Sequence, residues 1–64
     1  MSEIRNWYID TQLFTSTVIW GDIYNDSRFE DGTRIHTSSL SSIDFSKMEA
    51  KTKNSTYKLG DMRS

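Results

Sequence analysis

The chain has 64 residues, 34% of them apolar, and eight Lys and Arg stand against nine Asp and Glu for a net charge of −1. Such a length builds one domain with a thin core. The absence of Cys excludes disulfides and thiolate metal sites, the lone His excludes a His-rich zinc site within one subunit, and the balanced charge argues against a dedicated duplex-DNA binder, which gains affinity by neutralising phosphates.

Small domains without disulfides or metal often gain stability by associating, so a homo-oligomer is expected. The N-terminus Met1-Ser2-Glu3-Ile4-Arg5-Asn6 carries no apolar stretch of signal-peptide length. No segment approaches the roughly 18 apolar residues of a membrane helix. The chain therefore reads as a cytoplasmic protein with no membrane partner.

Thr, Ile, Tyr, Trp and Phe favour extended structure throughout. Ile4 to Asp10 reads as a first strand, with Trp7 and Ile9 alternating against Arg5, Asn6 and Tyr8. Asp10-Thr11-Gln12 then reads as a turn. Leu13 to Tyr24 is a long extended segment without a helical period. Its odd positions carry Leu13, Ile19 and Ile23, and its even positions carry Phe14, Val18, Trp20 and Tyr24. Both faces are thus partly apolar, and a partner subunit is the simplest cover for the second.

Asn25 to Thr33 is a polar connection closed by Asp31-Gly32, a turn signal because Gly accepts positive φ. Phe29 inside it is expected to enter the core or line a site. In Arg34 to Phe45 the apolar positions Ile35, Leu40, Ile43 and Phe45 change parity twice. That pattern requires bulges or bends near Ser38-Ser39 and Ser41-Ser42, or alternatively a short helical turn across Ser41 to Met48. Met48 to Leu59 closes the fold, and its parity switch at Asn54-Ser55 marks a turn or bulge. Residues 1–60 therefore form a single mainly β domain. The expected architecture is a small antiparallel meander of four to five strands, curled into a sheet or small barrel. Residues 61–64 read as a frayed tail.

Little in the chain suits catalysis. Ser38 beside His36 has no evident acid to orient the imidazole, so the chain reads as a non-enzyme with no cofactor. Asp22, Asp26, Glu30 and Asp31 lack the spacing of an EF-hand and read as a solvated acidic loop, so no metal is expected. More suggestive is a set of hydrogen-bonding side chains: Arg28, Arg34, His36, Thr37, Ser38, Thr52, Asn54, Ser55 and Tyr57. Arg offers a bidentate fork to phosphate, and hydroxyls and Asn suit sugar and base edges. Trp7, Trp20, Tyr24 and Phe29 are candidates to stack a base. The opposing reading places these Ser and Thr in ordinary strands and turns, and the aromatics in the core. Arg28 and Arg34 bracket the Asp31-Gly32 turn, which would let two guanidinium groups converge on one anionic ligand. Pairing of each with Asp26, Glu30 or Asp31 is the alternative. The candidate ligand-binding set is Arg28, Phe29, Arg34, His36, Thr37, Ser38, Asn54, Ser55 and Tyr57.

The fragments R-F-x-D-G-x-x-I-x-T-S, beginning at Arg28, and T-x-x-S-x-Y-x-L-G, beginning at Thr52, resemble short phage- and prophage-type β proteins that counter bacterial immunity. They lie between residues 28 and 60, about half of the chain. The resemblance implies one of two roles: sequestering a small nucleotide-like immune signal, or binding and blocking a bacterial defence protein. Either would be exercised in the host cytoplasm. A small-barrel binder of single-stranded nucleic acid is a third reading, opposed by the net charge.

Overall fold

A computed structural model describes residues 1–13 and 16–63. The alternating and β-branched segments form six strands: β1 (Glu3–Leu13), β2 (Ser16–Tyr24), β3 (Thr33–His36), β4 (Leu40–Asp44), β5 (Glu49–Thr52) and β6 (Thr56–Leu59). They build one sheet in the order β3-β2-β1-β6-β5-β4. Every neighbouring pair is antiparallel except β1 and β6, which run parallel. The fold is thus mainly β, with six strands where four or five were expected and a mixed sheet where a pure meander was. No helix occurs among the described residues, so the parity breaks between Arg34 and Phe45 are a kink and a bulge. Residues 37–39 interrupt the run between β3 and β4, and the β4–β5 register shifts between Leu40 and Ser42.

Two antiparallel meanders, β1-β2-β3 and β4-β5-β6, meet along the β1–β6 pair. The short 37–39 link joins the two edge strands directly. The sheet must therefore curl on itself, yet no ladder joins β3 to β4 and no barrel closes. The concave side holds Ile4 and Trp7 of β1, Ile19 and Ile23 of β2, Ala50 of β5, and Tyr57 and Leu59 of β6. Ile35, Leu40, Ile43 and Met48 pack against them. Burying a large aliphatic or aromatic side chain contributes about 1.5–3 kcal/mol, so this short set supplies most of the driving force.

One irregularity in β1 organises the core. The β1–β2 register shifts between Arg5 and Tyr8, and Asn6 takes φ 55°. This bulge turns Ile4 and Trp7 to the same, concave side despite their odd spacing. Gly21 lies across from it, where a Cβ would overlap the Ile4 side chain and approach Trp7 Cβ to 3.1 Å. The expected turn at Asp10-Thr11-Gln12 is instead continuing strand, since β1 runs to Leu13. Asp10 is held in the strand by the Trp20 indole N–H, which donates to its Oδ2 at 3.2 Å. Phe14 lies outside the described residues.

The C-terminus runs on beside β1. Asn6 N–H donates to the Asp61 carbonyl at 2.7 Å, Arg63 N–H donates to the Trp7 carbonyl at 2.8 Å, and Met62 bridges Trp7. Residues 61–63 are thus tied down where fraying was expected.

The Asp31-Gly32 turn forms as the sequence indicates, with Gly32 at φ 89° and its N–H donating to the Ile23 carbonyl at 2.8 Å. A β-branched side chain is strained at such a φ. Gly32→Val is expected to destabilise the domain by more than about 1 kcal/mol in urea unfolding; an unchanged midpoint would contradict the turn's role.

Candidate functional site

The nine residues expected to bind a ligand fall in three places. Arg28 and Phe29 lie on the β2–β3 loop. The Arg28 guanidinium donates to both carboxylate oxygens of Asp26, at 2.9 and 2.7 Å, and reaches Tyr57 Oη at 3.4 Å. Asp26 is only 6% exposed and also accepts from Ser2 Oγ and the Arg28 backbone N–H. The Arg28 side-chain hydrogen bonds, then its backbone N–H, hold the Asp26 carboxyl well below the usual range. The same pair, helped by Tyr57, raises Arg28. Tyr57 is otherwise a core side chain. Phe29 does not enter the core. It stands 40% exposed with the Arg28 guanidinium 5.6 Å from its ring centre.

Thr37, Ser38 and Ser55 form a second group, joined through Thr52. Ile19 N–H donates to Thr37 Oγ1 at 3.1 Å, and that hydroxyl donates to the Ser38 carbonyl at 2.8 Å. Ser38 Oγ donates to Thr52 Oγ1 at 3.1 Å, and Thr52 Oγ1 donates to the Ser55 carbonyl at 3.0 Å. Thr37 and Thr52 are buried. These hydroxyls close the gap between the two meanders where no ladder exists, so their work is structural. Asn54 is exposed at the β5–β6 turn.

Arg34 and His36 occupy the third place, the convex face of β3, and here the geometry suits a ligand. Tyr8 pairs with Trp20, and Trp20 pairs with His36. The three rings therefore form a row across β1, β2 and β3. The Trp20 and His36 ring centres are 4.8 Å apart, with planes tilted 53°. His36 Nδ1 donates to the Thr37 carbonyl at 3.1 Å, which sets the ring's orientation. Arg63, carried in by the tail, places its guanidinium 5.1 Å from the Tyr8 ring centre at the other end of the row.

Arginine pairing separates the places further. Arg5 is stacked 4.0 Å over Tyr24 and bonded to Glu3 at 2.7 Å, a bond that raises its pKa. Arg28 is satisfied by Asp26. Arg34 meets Asp22 only at 3.8 Å, beyond the roughly 2.7–2.9 Å of a charge-assisted bond. Arg63 has no carboxylate within ion-pair distance among the described residues. Arg28 and Arg34 thus engage separate carboxylates, and the under-satisfied guanidiniums are Arg34 and Arg63. Sequence reading missed Tyr8 and Arg63. The signal for Tyr8 was present, since it faces Trp20, but the Asn6 bulge hid the register.

Other features are less suited. A shallow groove of about 220 Å³ on β4–β6 is lined by Ser42, Asp44, Lys47, Glu49, Lys51 and Thr56. It has no aromatic wall, and Asp44 is occupied by Ser46 Oγ at 2.6 Å, which lowers its pKa. The loop acids are dispersed: Asp31 accepts from Asn25 N–H at 2.9 Å, while Asp26 and Asp22 face Arg28 and Arg34. No metal-holding cluster occurs among the described residues. Comparisons with protein-family models, curated proteins and solved structures gave no match.

Two outcomes test these assignments. Thr37→Val leaves the Ile19 N–H without its hydroxyl acceptor in a buried site, and is expected to cost about 1–3 kcal/mol in urea unfolding, with Thr37→Ser close to the parent. Asp26 has a lowered folded-state pKa, so its stabilisation is complete above its ordinary value of 3.8 and is lost as pH falls below that value. The melting temperature should therefore hold above about pH 5 and drop as the pH is lowered from about 4 towards 2. Asp26→Asn should flatten that drop, with Asp44 retaining part of it; an identical drop in the variant would remove Asp26 as its cause.

Proposed function

We propose that this chain is a non-enzymatic binding module that takes a flat, anionic, nucleotide-like ligand on the convex face of β1–β3. The observation that carries the reading is Arg63. It is held over the Tyr8 ring with no ion-paired carboxylate among the described residues, at the end of the Tyr8–Trp20–His36 row. A guanidinium stacked on a ring keeps its N–H edge for a phosphate, while neighbouring rings accept a base. Tyr8 and Trp20 are half-buried and His36 is exposed, so the platform is both supported and reachable. The lone imidazole already bonds the Thr37 carbonyl through Nδ1, which favours sequestration over chemistry. In the setting implied by the resemblance to phage-type proteins, such a module would withdraw a nucleotide signal of host immunity.

A blocking role against a defence protein is favoured by a different observation. Phe29 stands exposed on a loop fixed by Asp26, Asp31 and two residues of positive φ, Asn25 and Gly32. A rigid exposed aromatic is the usual anchor of a protein interface. The readings separate in titrations of adenosine and guanosine monophosphates followed by tryptophan fluorescence. Arg63→Ala should weaken binding at least about tenfold, ~1.4 kcal/mol, with the melting temperature kept, and Phe29→Ala should leave it unchanged. Absence of any nucleotide binding, or full affinity in Arg63→Ala, would overturn the nucleotide reading.

A further inference from the structure

Resting on that reading, we infer that the face binds two successive nucleotides of a single-stranded phosphodiester, with one phosphate at Arg63 and the next at Arg34. A mononucleotide needs one ring and one guanidinium. This face offers three rings on three neighbouring strands, spaced about 4.8 Å apart, so the row is roughly 10 Å long. Its flanks carry the two arginines whose charge is least satisfied. Arg63 covers Tyr8 at the β1 end, and Arg34 stands two residues before His36 on the same face of β3. The saturated arginines, Arg5 with Glu3 and Arg28 with Asp26, lie outside this row.

The acidic groups on the face fix where the phosphates go. Asp10 accepts the Trp20 indole N–H, and Asp22 lies between Arg5 and Arg34 in the next row. Both repel an anion from the middle of the platform and leave the flanks. The bases take the centre, where rings are, and the phosphates take the ends. A longer strand gains nothing from this arrangement, because the other two arginines, Arg5 and Arg28, are bonded to Glu3 and Asp26 and extend no basic track from the row. The ligand is therefore short, or a short stretch of something longer.

The test compares an adenosine mononucleotide, a 5′-phosphorylated adenosine dinucleotide and a ten-nucleotide adenosine strand, titrated by tryptophan fluorescence over a range of salt. The dinucleotide should bind at least about tenfold tighter than the mononucleotide. Two phosphate contacts on a single strand give log K against log salt a slope of about −1.4, at about 0.7 per phosphate. The ten-nucleotide strand should show that same slope. Arg34→Ala should remove the dinucleotide's advantage and about 0.7 of its slope. Arg63→Ala should weaken every probe.

Equal affinity of mononucleotide and dinucleotide would overturn the two-nucleotide inference and leave the nucleotide reading standing. So would a dinucleotide advantage that survives in Arg34→Ala. A slope steeper than about −3 for the long strand would overturn it in favour of an extended track. Failure of all three probes to bind would overturn both.

Discussion

The hydrogen bond from the Trp7 indole to the Gly60 carbonyl, at 2.8 Å, joins the core to the convex face. Trp7 is 2% exposed and is the bulkiest fully buried side chain. A buried indole N–H without an acceptor is costly, and a tryptophan that finds one inside the core fixes whatever chain supplies it. The supplier here is the segment after β6, which must therefore lie beside β1. Its backbone then completes the attachment through Asp61 and Arg63, and the parallel β1–β6 pair follows the same course. Arg63 reaches Tyr8 only because Trp7 holds the tail. Three further features serve Trp7: the Asn6 bulge turns it inward, Gly21 leaves space opposite, and Gly60 comes close enough to bond it.

The hydroxyl chain solves a different problem. A six-stranded sheet that curls without closing leaves backbone donors at the gap, and a buried unpaired N–H is expensive. Thr37 sits at the kink, accepts the Ile19 N–H and passes its own proton to the Ser38 carbonyl. Ser38 and Thr52 carry the connection to the β5–β6 turn, where Ser55 ends it. The Ser and Thr content thus stands in for the missing ladder. No buried side-chain polar atom is left unpartnered among the described residues, which is how a domain with so few apolar residues holds together.

Local chemistry was legible in the sequence, and long-range pairing was not. Asp31-Gly32, Asn54-Ser55 and the breaks around Ser38 and Ser41 were readable because each rests on φ preference or on parity within a few residues. The length of β1 was misread because Asp10 looks like a turn residue until the Trp20 indole is seen to use it. The docked tail was missed because Gly60-Asp61 resembles a chain end, although a tryptophan destined for the core announces the need for an acceptor. Arg34, His36 and Trp20 were recognisable as ligand-binding types. Their neighbours were hidden by a one-residue bulge between Arg5 and Tyr8, which moves the side chains of residues 7–10 to the opposite face. The Thr37 and Ser38 hydroxyls had the right chemistry for a ligand and are used by the fold, which takes up Ser55 through its backbone.

Net charge is a poor guide to anion binding in so small a chain, because what a ligand meets is the charge left after local pairing. Glu3 and Asp26 neutralise Arg5 and Arg28 through bonds of 2.7 Å. Those carboxylates carry the overall balance towards zero, and they sit away from the aromatic row. Asp22 faces Arg34 at a distance too long for a charge-assisted bond, and Arg63 lies over the Tyr8 ring. On the proposed reading, a phosphate at Arg63 would displace no carboxylate of the described residues, and so would avoid the exchange that makes binding at a saturated arginine nearly neutral. Arg34 and Arg63 thus stand at the flanks of the aromatic row while the chain as a whole stays slightly acidic. On the proposed reading, such a surface would favour short anionic ligands with planar groups over long polyanions, whose remaining phosphates would meet Glu and Asp.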